Sequence, residues 1–318
     1  MIDLTPPQIA QKINYRLERM LPFLVPFGAA IGFLLPSVFV TLRHFVPYLF
    51  AVMTFSGALK LRTAELAAAV KNPVPIVLFF IAAHILMPVI TMFVSSFFLS
   101  NNDVVAGFVV LFSAPTAVSG FIWVSILKGD MALCLTLVLL DTLLAPVIMP
   151  GTVAVLMGTK VAINMSGIVV SLLLMVVIPT ILGVAINETS KGKFPGVICP
   201  YLDPCSKITL MMVIAANTAS VAPGIRLTDP FLWKVAVICI ILIAVGFLLA
   251  KITAVIGRYN REKSVTLIIS GGLRNNSAVA TILVAFFPEA AVLPALLGIV
   301  FQQIIAAIAG KIMAKKTD

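Results

Sequence analysis

The sequence contains few charged residues and no long polar segment. Of its 318 residues, 11% are charged and 61% are hydrophobic, whereas a soluble globular domain has roughly 25% charged residues. This composition excludes a soluble enzyme, a disordered chain and a secreted disulfide scaffold. The uncharged stretches 104–127 and 161–186 also exclude an outer-membrane barrel, whose strands are about ten residues long and alternate in polarity.

Familiar catalytic motifs are absent as well. The chain has no H-E-x-x-H, no G-x-S-x-G and no P-loop lysine motif. Its four cysteines are spread over two apolar stretches and one polar link, and we expect free thiols. We therefore predict that the protein is not an enzyme and has no cofactor and no metal site.

Long hydrophobic stretches recur along the whole chain instead. About 20 apolar residues cross a bilayer, so the pattern predicts an all-α integral membrane protein with ten spans and a short amphipathic helix before the first. The predicted spans are 21–40, 45–59, 73–99, 104–127, 131–157, 161–186, 208–222, 231–250, 264–287 and 290–310. The longest predicted loop is 187–207, so no soluble domain is expected.

The net charge of +10 reflects the orientation of the chain in the membrane. With the N-terminus in the cytoplasm, 17 basic residues fall in inside segments and 4 in outside segments, as the positive-inside rule requires. We therefore expect a multi-pass protein of the cell inner (plasma) membrane with both termini cytoplasmic. The excess charge indicates contact with lipid headgroups and no nucleic-acid partner, since no basic and aromatic groove is present.

Two spans carry matching interruptions. Ten spans divide into two sets of five with opposite orientation, the inverted repeat that is typical of secondary transporters. The fourth and ninth spans contain polar segments at 113–120 and 270–277, where Pro115, Gly271 and Gly272 weaken the helix. We expect two broken helices that meet at mid-membrane, with helix starts near 116–119 and 275–277 that suit an anion.

Two charged residues lie deep within predicted spans. Arg274 and Asp141 are each eleven residues into their spans, where an unpaired charge is costly. Their equal depth predicts an Asp141–Arg274 contact. Such a pair could lock two helices together, or Arg274 could neutralise an anionic substrate while Asp141 holds it or exchanges a proton. His84 is a second candidate for proton exchange, although a lone histidine among apolar neighbours is more often a hydrogen-bonded structural residue.

These features resemble the bile acid:sodium symporter family. The similarity runs from about residue 48 to residue 313 and is strongest in Met-Thr-Phe-Ser-Gly-Ala-Leu-Lys at 53–60, in 114–150 and in 264–280. It implies ten spans, an inverted five-plus-five repeat and two broken crossing helices. It also implies one transporter domain over 1–318, divided into a panel (21–59 and 161–222) and a core (73–157 and 231–310).

The sodium ligands that the resemblance implies are mostly replaced. Ser119 is retained, but the following asparagine is Gly120, the span-nine glutamate is Ser270 and the span-nine glutamine is Arg274. The remaining ligand positions fall near Ala83, Cys134 and Val138. Because sodium requires several hard oxygen ligands, we interpret Arg274 as a built-in replacement for a sodium ion.

The sequence therefore predicts a secondary transporter of a small or amphipathic organic anion that works without sodium, either as a uniporter or exchanger or with a proton as the coupling ion. The candidate binding and coupling residues are Arg274, Asp141, Thr116, Ser119, Ser270, Asn275, Asn276, Gln302 and His84. A sodium-coupled symporter with rearranged ligands and a non-transporting membrane sensor remain open. Metalloid efflux is less favoured, because related arsenite exporters carry a thiol where this chain has Thr116.

Overall fold

The computed structural model describes residues 6–61, 73–158 and 164–314, and within these ranges the chain is helical. The predicted inside segment 60–72 and the start of the sixth span lie partly outside the described residues. The α-helices are α1 (Pro6–Leu34), α2 (Pro36–Phe39), α3 (Val46–Ala58), α4 (Val74–Phe80), α5 (Met87–Phe98), α6 (Asn102–Ser113), α7 (Gly120–Ile126), α8 (Met131–Met157), α9 (Met165–Leu172), α10 (Ile178–Thr189), α11 (Lys193–Val221), α12 (Pro230–Ile256), α13 (Arg261–Gly272), α14 (Asn276–Phe286) and α15 (Leu293–Ala314). Short π-helical turns occupy Ile81–Leu86 and Leu173–Val177, and 3₁₀ turns occupy Val40–Phe45, Ala222–Gly224 and Glu289–Val292.

Seven helical stretches in the described residues are long and apolar enough to cross a membrane. An eighth results if α1 counts as one span, since its parts Pro6–Glu18 and Phe23–Leu34 are bent by 76°. The stretches predicted as the fourth and ninth spans are not among these, because each is divided into two short helices.

Two predicted boundaries are wrong. The loop predicted at 187–207 is helical from Lys193 onward, and a polar side chain of this segment contacts a distant part of the chain. Asp203 pairs with Lys60 at 2.7 Å. The first span, predicted to continue to residue 40, is interrupted at Leu35 because the following proline disfavours helical backbone there.

The chain divides into two compact units. The first contains residues 1–63 and 171–223. In it α1 packs along α11, and α3 packs against α10 and α11. The end of α3 is fixed by Asn187, whose buried side-chain amide donates to the Leu61 carbonyl at 2.8 Å.

The second unit contains residues 64–170 and 224–318. Its centre is α6, which is buried from Val104 to Ser113 and packs against α5, α8 and α15. Helix α12 packs against α13 and α15. All nine candidate binding and coupling residues belong to this unit.

Candidate functional site

The helix interruptions predicted at 113–120 and 270–277 are present, and they pair with each other. Helix α6 ends before Pro115 and α13 ends at its Gly-Gly pair. Between the half-helices, Thr116 and Arg274 form an antiparallel bridge. The Ala117 N–H donates to the Leu273 carbonyl at 3.1 Å, and the Asn275 N–H donates to the Pro115 carbonyl at 2.9 Å. We call this paired segment, residues 114–119 and 273–275, the crossing.

Side chains satisfy the backbone groups that the helix breaks leave free. Asp141 on α8 accepts from the Thr116 N–H at 2.7 Å. The Thr116 hydroxyl donates to the Ser270 carbonyl at 2.7 Å and lies 3.1 Å from the Leu273 carbonyl. An unpaired peptide group in a low-dielectric interior costs on the order of several kcal/mol. These contacts therefore stabilise the broken backbone.

Two adjacent glutamines of α15 bond to the two interrupted stretches. Gln302 accepts from the Arg274 N–H at 2.8 Å and donates to the Arg274 carbonyl at 2.9 Å. Gln303 accepts from the indole N–H of Trp123 on α7 at 3.1 Å. Helix α15 is therefore bonded to both interrupted stretches.

The Arg274 guanidinium is buried and bonded to carbonyl oxygens. The residue is 2% exposed. Its Nη1 donates to the Ala114 carbonyl at 3.3 Å, and its Nη2 donates to the Ala83 and Gly271 carbonyls at 3.2 and 3.3 Å. Ala114 follows the last residue of α6, and Gly271 lies in the last turn of α13. The guanidinium thus places its charge at two helix C-termini, where a cation is favourable.

A proline explains why Ala83 has a free carbonyl. In a regular α-helix the Met87 N–H would bond to Ala83, but here it donates to Ala82. The next residue, Pro88, has no N–H to give. The π-helical turn therefore leaves the Ala83 oxygen available to Arg274, in keeping with the frequent use of such turns at functional sites.

The predicted Asp141–Arg274 ion pair does not form within the described chain. Instead, His84 Nε2 lies 2.8 Å from Asp141 Oδ1, an ion-pair distance without the angle of a linear hydrogen bond. The physical reason is that the guanidinium donates its hydrogen bonds to main-chain carbonyls, while the π-helical turn places His84 beside Asp141. The His84 ring also stacks on Phe80, with ring centroids 5.3 Å apart.

The other candidate residues occupy two environments. Ser119 and Asn275 are half-buried at the starts of α7 and α14, and the Asn275 side chain accepts from the Ala278 N–H at 3.3 Å. Asn276 is buried, and its Oδ1 has no hydrogen-bond partner among the described residues. Ser270 is fully buried, with its hydroxyl 4.0 Å from the Cys134 sulfur.

Arg274 also lines a small apolar cavity of about 10 Å³, together with residues such as Phe79, Met87 and Leu267. This volume is large enough for about one water molecule. Within the described parts of the chain, no group of three or more His, Cys, Asp or Glu side chains is placed to hold a metal ion. The sequence did not predict that the Ala83, Ala114 and Gly271 carbonyls accept from the guanidinium. The available signal was the position of Pro88, which leaves the Ala83 carbonyl free.

The chain is similar to several proteins of other organisms, some of them along most of its length. Residues 46–225 match the Sodium Bile acid symporter family. "Uncharacterized protein YbaS" of Bacillus subtilis is 33% identical over 91% of this chain and 95% of its own length. "Probable sodium/metabolite cotransporter BASS3, chloroplastic" of Oryza sativa subsp. japonica is 24% identical over 91% of this chain and 68% of its own length. "Arsenical-resistance protein Acr3" of Alkaliphilus metalliredigens is 28% identical over 59% of each chain.

The family match covers more than half of the chain, and the Bacillus relative aligns with nearly all of it. The seven long apolar helical stretches of the described residues agree with a membrane protein of this kind. The chain therefore belongs to the sodium bile acid symporter family, and it is a membrane transporter rather than an enzyme.

Proposed function

We propose that the protein is a secondary transporter of a small or amphipathic organic anion, works by alternating access and does not require sodium. The observation that carries this proposal is the bonding of the Arg274 guanidinium to the carbonyls of Ala83, Ala114 and Gly271. Three carbonyl oxygens in and beside the crossing thus accept from a positively charged side chain that cannot leave.

Electrostatics supports independence from sodium. Carbonyl oxygens at helix C-termini are suitable ligands for a small cation, but here they accept from a guanidinium. Two unit positive charges 4 Å apart repel each other by about 4 kcal/mol at an effective dielectric constant near 20. A sodium ion beside Arg274 would meet this repulsion, because Ser270 offers no carboxylate and Asp141 is already engaged by the Thr116 N–H and by His84.

The anion is proposed to bind at the half-exposed side of the crossing. The start of α14 presents the positive end of a helix dipole, beside Asn275 and Asn276. Ser119 lies at the corresponding start of α7. Five buried residues then stabilise the crossing: Arg274, Asp141, Thr116, Ser270 and Gln302. Arg274 also supplies a positive charge next to it.

The proposed topology has ten spans in an inverted five-plus-five repeat with both termini in the cytoplasm of a plasma-membrane protein. The seven long helical stretches, the bent α1 and the two interrupted stretches add up to this number. Their basic segments would contact anionic lipid headgroups. The panel and core expected from the family resemblance, 21–59 with 161–222 and 73–157 with 231–310, remain part of the proposal.

Thermal stability of the purified protein tests the proposal. Wild type, Arg274→Gln and the exposed control Arg226→Gln are heated with carboxylates, sulfonates and bile salts in sodium or potassium buffer. An anion at 100 times its dissociation constant adds about 2.7 kcal/mol. We expect one anion class to stabilise wild type and Arg226→Gln equally in both salts, and to have no effect on Arg274→Gln.

Stabilisation of wild type by sodium alone would contradict the proposal. This comparison needs no variant, so it decides the sodium question even if Arg274→Gln does not fold.

A sodium-coupled symporter is the second candidate, because the rice relative is named a probable sodium/metabolite cotransporter. Such a protein would need ligands other than those that Arg274 occupies. Uptake of the stabilising anion into liposomes, with and without a sodium gradient, separates the two functions.

A further inference from the structure

We propose that His84 and Asp141 form the proton-binding site of this transporter, and that one proton moves with each monovalent anion. The inference rests on the proposed function and extends it by assigning the coupling ion to two residues. It starts from their contact, in which His84 Nε2 lies 2.8 Å from Asp141 Oδ1.

His84 lies between a buried carboxylate and an aromatic ring. The His84 and Asp141 side chains are 4% and 0% exposed, so an imidazolium here is paired with a carboxylate that water does not screen. The ring stacks on Phe80, and an aromatic face attracts a cation at this distance. His84 Nδ1 has no hydrogen-bond partner in the described chain, so an N–H there would be unpaired and a proton on the ring depends on the contact with Asp141.

The charges of the site give the stoichiometry. Arg274 is always positive and Asp141 carries the opposite charge, so the two cancel when His84 is neutral. A proton on His84 gives the buried site one net positive charge, which one monovalent anion cancels. Unbalanced charge is costly inside a membrane protein. The empty carrier and the carrier loaded with both proton and anion are therefore the favoured forms.

Asp141 connects the proton to the crossing. One carboxylate oxygen contacts His84, while the other accepts from the Thr116 N–H at 2.7 Å. Thr116 is in turn bridged to Arg274. The proton thus lies one side chain away from the paired segments that would bind the anion.

No other described ionisable group contacts the His84 ring. The elements that pack against its π-helical turn are α4, α5, α6, α8 and α12. Their titratable residues are Asp103 on α6, Cys134 and Asp141 on α8, and Lys234, Cys239 and Lys251 on α12. Both lysines are exposed. Arg274 reaches the carbonyl of the neighbouring Ala83 rather than the ring.

Histidine-selective ¹⁵N NMR tests the site without a substrate. The chain has two histidines, and the other, His44, is exposed. The full chain carrying His44→Gln, in nanodiscs, therefore gives signals from His84 alone. We expect its ring nitrogens to change reversibly between neutral and cationic forms as pH varies, and Asp141→Asn to alter this change. A His84 ring that keeps one protonation state wherever the protein is folded overturns the proposal.

Flux measurements test the coupling. Liposomes contain a pH-sensitive dye, and labelled taurocholate is the probe, because its sulfonate stays ionised and cannot carry a proton itself. Membrane voltage is clamped with potassium and valinomycin. We expect about one proton per taurocholate in wild type and in His44→Gln, and a clearly lower ratio in His84→Gln.

Taurocholate uptake by wild type without proton movement overturns the inference while leaving the proposed function intact. Absence of anion flux with any probe of the stability panel contradicts the proposed function instead, and the NMR titration still decides the proton site.

Discussion

Gln302 holds the backbone of Arg274 through two hydrogen bonds, accepting from its N–H at 2.8 Å and donating to its carbonyl at 2.9 Å. A neighbouring β-strand would bond to a residue in the same way. The amide side chain thus supplies, from a helix, the pairing that an extended segment in the membrane otherwise lacks. Arg274 is consequently fixed at its backbone by α15 and at its guanidinium by helix-end carbonyls.

We predict that Gln302→Ala destabilises the protein much more than Gln303→Ala. Removal of Gln302 leaves the buried N–H of Arg274 unpaired, at a cost of about 1–3 kcal/mol, whereas the Arg274 carbonyl still accepts from the Asn276 N–H at 2.8 Å. Removal of Gln303 affects only one part-buried contact, to Trp123. The midpoint of thermal unfolding of the purified variants measures the difference. Equal losses would show that Gln302 does not hold the Arg274 backbone.

Two substitutions at Thr116 distinguish the contribution of its hydroxyl group to stability from that of its volume. Thr116→Val keeps the volume but removes the donor that serves the Ser270 and Leu273 carbonyls, so we expect a loss of about 1–3 kcal/mol. Thr116→Ser keeps the donor and should be closer to wild type. Both are measured by thermal unfolding in the same detergent. A Ser variant as unstable as the Val variant would mean that the methyl group, rather than the hydrogen bonds, is what matters.

The backbone breaks could be predicted from sequence because their causes are local. Pro115 cannot donate a hydrogen bond, and Gly271 and Gly272 weaken a helix wherever they occur. The partner of Arg274 could not be predicted in this way. Depth along two spans suggested Asp141, but the acceptors are main-chain carbonyls, which carry no residue-specific signal.

The helix that replaces the predicted loop 187–207 illustrates the same limit. Lys193, Pro200 and Asp203 are typical of loops, yet they lie in the 29-residue helix α11. The Lys60–Asp203 pair joins residues far apart in sequence. Such contacts decide whether a polar segment is helical, and local composition does not reveal them.

Tight packing around α6 gives a prediction that is independent of transport. A Cβ atom added at Gly107 would lie 2.0 Å from the Ala291 carbonyl oxygen, whereas one added at Gly151 on α8 meets nothing within 4 Å. Backbone cannot move aside as a flexible side chain can, so Gly107→Ala should cost at least about 1–3 kcal/mol. Gly151→Ala should be neutral or stabilise by about 0.5–1 kcal/mol.

Thermal unfolding of the two glycine variants, made in the same background, measures this contrast. Similar stabilities would show that α6 and the 3₁₀ turn Glu289–Val292 are less closely packed than the structure indicates.

Pro88 should be energetically coupled to Arg274. Pro88→Ala restores an N–H and allows the π-helical turn to become regular, after which Met87 can bond to the Ala83 carbonyl. Arg274 would then lose one of its three acceptors. We expect Pro88→Ala to destabilise the wild-type chain and to have little effect, or to stabilise, in Arg274→Gln. The double-mutant cycle should give a coupling of about 0.5–3 kcal/mol.

The chain contains a matched control for this cycle. Pro179 follows the second π-helical turn, where the Ile178 N–H donates to Leu173, just as Met87 donates to Ala82. That turn belongs to the other compact unit, and no arginine contact to it is recorded among the described residues. Pro179→Ala and Arg274→Gln should therefore have additive effects on thermal stability. If Pro88→Ala is also additive with Arg274→Gln, the π-helical turn is a packing feature and does not serve to present the Ala83 carbonyl to the guanidinium.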